Sequence, residues 1–574
     1  MPRERRELCA ISMAKVDQRV GQKNCIREDR KVNMGGWNFS GIFAAVAEEI
    51  PNSVALVQGD RKRVWRDLDQ RTTAIAAFLV KSGLQRQDKV AQYLYNCLEY
   101  LESVLASFCG GFVPLNTNYR YGPDELAYLW QNGDVACVVF HGTFVPVIEA
   151  VRARVPKVKQ WLWVDDGSEP CPDWATPYED AAKYVPANNW RPWEVSGDDL
   201  LLLYTGGTTG SPKGVMWRQE DLFLRLNTEN GDVFPEQADM PFLKSKISRN
   251  GRVHLTAGPL MHGAGLLTCF MTLSKGGVVS HLQERSFSAE DLLDTVDRDR
   301  AATLMWVGDA FARPVLDALD RGRGRWDLSS LRTIISSGVV FSADVKERII
   351  AHMPHIAIAD VFGSSETMSL GRSITTSGAS PRTASFKTKA SVRVLTDEGR
   401  DVVAGSGEQG LLAIGGRQPV GYYNDTEKTE AIFRTVDGRR YVMPGDWATV
   451  EADGTVTLIG RGSECINSGG EKVFPEEVEI ALKSHDAVND AIVVGIPDAR
   501  FGQSIAALVE RAAGASALEE DLISHVRLQI AAYKAPRRIT FIERIPRLPN
   551  GKADLKLIRQ MLLADQGETR AVVA

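Results

Sequence analysis

Residues 200–214 read LLLLYTGGTTGSPKG, a run of apolar side chains followed directly by a loop of glycines and hydroxyl-bearing residues. The apolar run is typical of a buried strand. The glycines let the backbone approach a ligand closely, while the threonines, Ser211 and Lys213 add hydroxyl groups and one positive charge. This pattern predicts a site that binds an anion such as phosphate. Its end, Pro212-Lys213-Gly214, departs from the Gly-Lys-Ser/Thr of a Walker A loop.

The chain around this loop alternates short apolar runs with helical stretches. Runs buried on both faces are typical of parallel sheets flanked by helices, so we expect an α/β fold. An amphipathic helix is predicted at 70–83, and strands are predicted at 89–95, 200–204, 253–255, 277–281, 302–307, 331–336 and 356–361.

The pattern changes after Arg461. A helix at 473–484, a strand at 491–496, a helix at 518–531 and a strand at 538–541 predict a compact α+β unit large enough to have its own core. We therefore place a domain boundary near Ser463. Residues 1–33 are rich in charge and lack a signal-like apolar run, so we expect either a disordered extension or a misassigned start, rather than a targeting segment.

Composition excludes several classes of protein. The 574 residues include 68 Lys and Arg against 73 Asp and Glu, a net charge of −5, so the basic excess of a nucleic-acid-binding protein is missing. The eight cysteines are dispersed without a CxxC pair, which argues against a zinc ribbon or disulfide scaffold and favours a reducing, cytoplasmic location. No apolar run approaches the length of about 20 residues that a transmembrane helix needs. We expect a large enzyme.

The loop, together with five further stretches, resembles the adenylate-forming superfamily of acyl-CoA synthetases, luciferases and peptide-synthetase adenylation domains. The resemblance covers residues 34–565. It implies an ATP- and acyl-binding domain at 34–462, built of stacked mixed sheets with helices, and a small mobile α+β domain at 463–574. In the loop it implies that the ATP phosphates bind to Thr205, Gly206, Gly207, Thr208, Thr209, Gly210 and Lys213.

The second stretch, 360–366, resembles the adenine and magnesium motif of the family. The resemblance implies ATP contacts for Asp360, Phe362, Gly363 and Ser365, with the Phe362 ring stacking on adenine. Glu366 is implied to hold Mg²⁺, because a hard cation prefers carboxylate oxygen. The third stretch, 337–340, resembles the turn beside adenine, which implies a nucleotide contact for Gly338 and an acyl contact for Val339.

The last three stretches lie in both predicted domains. Residues 441–447 and 460–464 resemble the ribose and hinge motifs, so Asp446 and Arg461 are implied to bind the ribose hydroxyls, with Ser463 as the pivot. Residues 546–552 resemble the C-terminal lysine loop. Lys552 is implied to bridge the substrate carboxylate and the α-phosphate during adenylation, where its charge offsets that of two anions.

The resemblance implies two half-reactions and three small-molecule substrates. A carboxylic acid attacks ATP with the help of Mg²⁺, giving an acyl-adenylate and pyrophosphate, and coenzyme A then takes the acyl group and releases AMP. Between the steps the small domain turns and replaces Lys552 with the face around Gly469 and Gly470, where coenzyme A enters. Oligomeric state, including a homodimer, is left open.

Four stretches favour one branch of the family. Residues 214–222, 308–314, 420–424 and 467–479 resemble acyl-CoA synthetases that activate steroid side chains and branched or long fatty acids in sterol-degrading bacteria. His262 is implied to lie at the mouth of the acyl pocket, whose walls include Gly263, Gly265, Gly308 and Val339. Transfer to a carrier-protein thiol and a non-catalytic ATP-binding role stay open as alternatives.

Overall fold

The computed structural model describes residues 35–207, 210–229, 231–338, 341–379, 385–389, 391–462, 465–468, 471–498, 502–548 and 552–572. In these ranges the strands form three sheets, flanked by helices. The helices are α1 (Phe39–Glu49), α2 (Trp65–Lys81), α3 (Leu98–Gly110), α4 (Pro123–Asn132), α5 (Val145–Val151), α6 (Tyr178–Ala182), α7 (Gln219–Glu229), α8 (Met240–Lys246), α9 (Gly263–Leu273), α10 (Ala289–Asp299), α11 (Gly308–Arg321), α12 (Ala343–His352), α13 (Thr426–Ile432), α14 (Pro475–Lys483), α15 (Glu519–Gln529) and α16 (Leu555–Val572).

The 28 strands within the described residues are numbered in chain order. They are β1 (Val54–Gln58), β2 (Arg61–Val64), β3 (Lys89–Tyr93), β4 (Val113–Asn116), β5 (Val135–His141), β6 (Gln160–Val164), β7 (Thr176–Pro177), β8 (Leu200–Gly207), β9 (Gly210–Arg218), β10 (Val253–Thr256), β11 (Val278–His281), β12 (Thr303–Trp306), β13 (Thr333–Ser336), β14 (Ala357–Ser364), β15 (Met368–Thr375), β16 (Ser385–Thr388), β17 (Val392–Leu395), β18 (Gly410–Ile414), β19 (Gly421–Tyr422), β20 (Phe433–Val436), β21 (Arg439–Val442), β22 (Asp446–Val450), β23 (Val456–Arg461), β24 (Ile466–Ser468), β25 (Glu471–Val473), β26 (Val488–Asp498), β27 (Gly502–Arg511) and β28 (Arg538–Ile542).

Two mixed sheets build the large N-terminal domain. The larger sheet has the order β2-β1-β11-β10-β12-β13-β14-β15-β16-β23-β22-β18-β21-β20, with β17 paired to β18. The second has the order β19-β9-β8-β4-β3-β5-β6-β7. The neighbours from β1 through β11, β10, β12 and β13 to β14 are parallel, as are those from β8 through β4, β3, β5 and β6 to β7. The predicted buried parallel strands are confirmed.

The small C-terminal domain has its own sheet, ordered β25-β24-β27-β26 with β28 beside β27. Alternate residues of a strand point to opposite faces. Ala491 and Val493 of β26 join a core with α14 and α15, whereas Ile492 and Val494 join another with α16. The predicted fold class, a large domain of mixed sheets and a small α+β domain, is therefore confirmed.

The helix predicted at 70–83 begins earlier, at Trp65. Trp65 and Leu68 are buried and extend the apolar face that continues through Ile75 and Leu79, at spacings of three and four residues. The helix ends at Lys81, and Gly83 follows in the left-handed region with a φ of +90°. The apolar pattern does not predict the first turn of this helix, because three of its residues are charged.

Antiparallel strands are the main feature that the sequence did not predict. The stretch after the glycine-rich loop forms β9, which pairs antiparallel with β8, and β15 to β23 add further antiparallel strands between 368 and 461. Many of these strands are only partly buried, so their apolar pattern is weaker than in the parallel strands.

No helix within the described ranges has both the length and the apolar character that a membrane crossing requires.

A buried histidine makes the stability of the large domain depend on pH. Neither ring nitrogen of His281 has a hydrogen-bond partner among the described residues. Burial, together with the neighbouring His254, lowers the pKa of His281 to about 3. The unfolded chain takes up a proton near the ordinary value of about 6.5. Stability is therefore lost as the pH falls from about 6.5 towards 3, because only the unfolded state can bind that proton.

We expect His281→Leu to remove this contribution. The free energy of unfolding in urea should rise by about 1 kcal/mol at pH 8, since a buried donor without a partner is removed, and should rise more at pH 5. The exposed His355 supplies the control, because His355→Leu should leave the difference between the two pH values unchanged. Equal pH dependence in wild type and His281→Leu would contradict this account.

Candidate active site

The glycine-rich loop joins the ends of two paired strands. In the β8–β9 hairpin Thr205 lies opposite Lys213, and Gly207 lies opposite Gly210. Lys213, which is half-buried, is thus held in the hairpin opposite Thr205. Thr208 and Thr209, predicted to bind phosphate, lie outside the described residues.

A buried asparagine links this hairpin to the segment before His262. The side-chain Nδ2 of Asn116 donates to the carbonyl oxygens of Tyr204, at 2.8 Å, and Met261, at 2.6 Å. Its Oδ1 accepts a hydrogen bond from the backbone N–H of Tyr204 at 2.7 Å. Asn116 was not predicted as a site residue, because its partners are 88 and 145 positions away in the sequence. It ties together the backbones of Tyr204 and Met261, the residues that precede Thr205 and His262.

His262 has a ring nitrogen available to a ligand. The residue precedes α9 as its N-cap, and its buried Nε2 has no hydrogen-bond partner among the described residues. Burial, followed by the charges of Lys552 and Arg120, lowers the pKa of His262 to about 4, so the imidazole is neutral at neutral pH. The same interaction shows that Lys552 of the small domain lies within electrostatic range of His262.

Tyr422 brings together the cation and the carboxylate that the sequence singled out. Its hydroxyl donates to Oε1 of Glu366 at 2.7 Å. The Nζ of Lys213 lies 5.4 Å from the centre of the Tyr422 ring, within the range of a cation–π contact. Lys213 and Glu366 therefore both contact Tyr422, a residue of the stretch 420–424, and their roles at the ATP phosphates and Mg²⁺ stay predictions.

The β14–β15 hairpin positions Glu366. A Cβ on Gly363 would lie 1.7 Å from the carbonyl oxygen of Met368, so the two strands can approach this closely only at a glycine. Ser364 N–H donates to Oγ1 of Thr367 at 3.0 Å and closes the turn. The carbonyl of Ser365 accepts a hydrogen bond from Nε1 of Trp217 at 2.9 Å, which ties the turn to β9.

Phe362 and Asp360 lie on the same strand but have different surroundings. The half-buried ring of Phe362 stacks on Phe386, with 5.5 Å between the ring centres. Asp360 is buried, and its carboxylate accepts a hydrogen bond from Nζ of Lys346 at 2.8 Å. Burial raises the pKa of Asp360 above its ordinary value although Lys346 opposes this effect. The ATP contact predicted for Asp360 stays a prediction, and the structure gives its carboxylate a partner within the protein.

Asp446 and Arg461 occupy directly opposite positions of the antiparallel strands β22 and β23. Asp446 is buried. This register places the two predicted ribose-binding residues at the same level of the sheet, beside the hinge region that follows Arg461.

The glycines predicted to line an acyl pocket have different reasons to be glycine. A Cβ on Gly265 would lie 2.6 Å from the carbonyl oxygen of Pro259, whereas one on Gly263 would make ordinary contact with Leu203 at 3.6 Å. Gly265 is required because the backbone approaches closely there, whereas Gly263 leaves room beside His262. Gly308 begins α11, where its N–H donates to Oγ of Ser336 at 3.1 Å.

Gly338 follows β13 with a φ of +98°. Val339, Ser463, Gly469 and Gly470, predicted at the acyl pocket, the hinge and the coenzyme A face, lie outside the described residues, as does the extension 1–33.

Comparison with known proteins identifies the family to which this chain belongs. A family model described as "AMP-binding enzyme" matches residues 43–423, and one described as "AMP-binding enzyme C-terminal domain" matches residues 477–552. The chain belongs to the AMP-binding enzyme family.

Its similar relatives are acyl-CoA ligases. A medium/long-chain-fatty-acid–CoA/3-oxocholest-4-en-26-oate–CoA ligase of Mycolicibacterium smegmatis is 38% identical over 90% of this chain and 95% of the relative. A 3-oxocholest-4-en-26-oate–CoA ligase of Rhodococcus rhodochrous is 38% identical over 90% and 95%.

Among solved structures, ATP-bound MatB from Rhodopseudomonas palustris matches with a TM-score of 0.74, at 25% identity over 91% of this chain and 98% of that one. The anthranilate CoA ligase AuaEII in complex with anthranoyl-AMP has a TM-score of 0.77 at 21% identity, over 92% and 98%, and supports the fold alone.

The contact between Tyr422 and Glu366 is testable through nucleotide binding. Tyr422→Phe removes the hydroxyl that orients the carboxylate, and a hydrogen bond to a charged group is worth about tenfold in an equilibrium. We expect ATP affinity in the presence of Mg²⁺, measured by calorimetry, to fall by about that factor. Tyr423→Phe is the matched control, because its hydroxyl donates to Asp134, at 2.9 Å, instead. Equal affinities for the two variants would contradict the positioning role.

Proposed function

We propose that this protein activates a medium- or long-chain fatty acid or a steroid side-chain acid as its coenzyme A thioester. The reaction class is that of an ATP-dependent, AMP-forming acyl-CoA synthetase, supported by similarity to such ligases over nine-tenths of the chain. The observation that supports the site most directly is the buried Asn116, which ties the strand that enters the loop to the residue before His262, while the charge of Lys552 acts on His262.

In the first half-reaction an oxygen of the carboxylic acid attacks the α-phosphorus of ATP, and the bond to pyrophosphate breaks. Two anions must approach each other, so the chief requirement is a set of fixed positive charges. Lys213 supplies one at the base of the loop, and Lys552 supplies another from the small domain. His262 is neutral, and its Nε2 is placed to bond the carboxylate rather than to remove a proton.

A magnesium ion fits the chemistry of Glu366. The carboxylate is half-buried, oriented by Tyr422 and adjacent to Lys213, and it offers the hard oxygen donor that Mg²⁺ prefers together with phosphate oxygens. When bound, Mg²⁺ would neutralise charge on the phosphates. Tyr422 keeps the carboxylate in place for this role.

The nucleoside is assigned to the strands beside this carboxylate. Phe362 offers a half-buried ring face for adenine next to the Gly338 turn. Asp446 and Arg461 occupy opposite positions of neighbouring strands. We assign the ribose to this pair, because a carboxylate can accept hydrogen bonds from two neighbouring hydroxyls.

In the second half-reaction the thiol of coenzyme A attacks the acyl carbon, and AMP leaves. We assign the boundary between an adenylation domain at 34–462 and a mobile domain at 463–574 to Ser463, and the entry of the thiol arm to Gly469 and Gly470. The small domain has cores of its own on the two faces of its sheet, which supports its movement as one body. A cytoplasmic location is supported by the described cysteines, none of which forms a disulfide.

The function is tested with a panel of acids from acetate to palmitate plus a steroid side-chain acid, with pyrophosphate and thioester formation both measured. We expect kcat/KM to rise with chain length, because each buried CH₂ group contributes about 0.8 kcal/mol. A preference for acetate or propionate would contradict the bulky substrate.

The same panel separates the alternatives. Pyrophosphate release without a coenzyme A thioester would indicate transfer to a carrier protein. Absence of both products with every acid would indicate a non-catalytic homologue.

A further inference from the structure

The two domains meet at a hydrogen bond between Arg313 and Asn489. Arg313 lies on α11 of the large domain, and its Nη1 donates to Oδ1 of Asn489, at the start of β26 in the small domain, at 3.0 Å. Only 24% of the Arg313 side chain is exposed, which is low for an arginine at a domain surface. The contact is therefore largely shielded from water, where a hydrogen bond from a charged donor is strongest.

On the large-domain side, Arg313 is fixed to the wall of the active site. Its Nη2 donates to Oδ2 of Asp309 at 3.2 Å. The carboxylate of Asp309 also accepts hydrogen bonds from Ser342, from the backbone N–H at 2.9 Å and from Oγ at 2.5 Å. Asp309 follows Gly308, whose N–H is bonded to Ser336 at the end of β13. Arg313 is thus tied through Asp309 to the start of α11 and the end of β13, which precedes the turn at Gly338 that we assign to the nucleotide.

On the small-domain side, the next residue continues the series of contacts. Asp490 accepts a hydrogen bond from Arg547 and forms an ion pair with Lys483 at 2.9 Å. Burial disfavours charge on Asp490, but Lys483 and Arg547 hold the pKa of this carboxyl below its ordinary value. Asp490 is thus a permanent anion between two cations, and it fixes Arg547.

Arg547 begins the loop that contains Lys552. It forms a β-bridge with Ala553, and the backbone N–H of Leu548 donates to the carbonyl oxygen of Lys552 at 2.7 Å. The loop is therefore closed on itself directly beside the Asp490 anchor. A single series of contacts runs from Arg313 through Asn489 and Asp490 to Arg547 and so to Lys552.

We propose that the bond from Arg313 to Asn489 is a positioning contact that stabilises the domain orientation in which Lys552 faces His262, and so favours the first half-reaction alone. The inference rests on the proposed function. Arg313 touches no reacting atom in this role. It acts through Asn489, and the small domain must break the bond before it turns for thioester formation.

The test separates the half-reactions. Arg313→Met keeps the apolar stem and removes the donors. Pyrophosphate release with a fatty acid and ATP should fall by about tenfold, the worth of a hydrogen bond from a charged group. The same variant, given preformed acyl-adenylate and coenzyme A, should form thioester at the wild-type rate or faster. Arg313→Lys, which retains a charged donor group, should recover part of the lost rate of pyrophosphate release.

Two further variants keep the test independent of folding. Asn489→Ala removes the partner from the other domain and should slow the first half-reaction alone. The double variant should be no slower than Arg313→Met, because the bond between the two residues cannot be lost twice. Arg348→Met on α12 is the control. It removes an exposed arginine from the same domain, paired at 2.8 Å with Asp320, and should leave both rates unchanged.

The outcomes are distinct. Unchanged pyrophosphate release in both Arg313→Met and Asn489→Ala, or equal losses in the two half-reactions, would overturn the positioning role while the wild-type enzyme remains active. A wild-type protein that forms no acyl-adenylate with any acid would overturn the proposed function, and this inference with it.

Discussion

One buried carboxamide, that of Asn116, determines how the parts of this site come together. It binds the backbone of Tyr204 in two directions and the carbonyl of Met261, so the strand that enters the phosphate loop cannot move independently of the segment before His262. Because the amide is buried, water competes little for these hydrogen bonds. Removing one partner would leave a buried polar group without a hydrogen bond, which costs free energy of folding. The β8–β9 hairpin and the segment before His262 are therefore held together as one unit.

The remaining contacts add charge to this unit from two sides. Tyr422 holds Glu366 next to Lys213 within the large domain, whereas Lys552 arrives on a loop of the small domain that Arg547 and Asp490 stabilise. The first pair is built into one domain and is permanent. The second depends on the orientation of the two domains, and we propose that it is withdrawn once the acyl-adenylate has formed. On this proposal, the difference lets one site serve two successive reactions.

The sequence predicts the parts whose signal is local. Buried parallel strands such as β8 and β12 are short, mainly apolar runs. The glycine-rich loop can be predicted to bind an anion because its glycines, hydroxyl-bearing residues and lysine are adjacent in the chain. Tyr422, Asn116 and Arg313 escaped prediction because each acts through a partner 56 to 176 positions away, and no periodicity records such a pairing. Asp360 illustrates the opposite case, since its motif predicts a nucleotide contact while its carboxylate binds Lys346.

Attack of the acid itself on the α-phosphorus of ATP is the step that we propose for this arrangement of charges. It is tested most directly by incubating the protein with ATP, coenzyme A and a fatty acid whose carboxylate bears ¹⁸O, then weighing the nucleotide product by mass spectrometry. Attack at the α-phosphorus predicts AMP that has gained one labelled oxygen for each thioester formed. Unlabelled AMP, or ADP with the label in inorganic phosphate, would contradict the account.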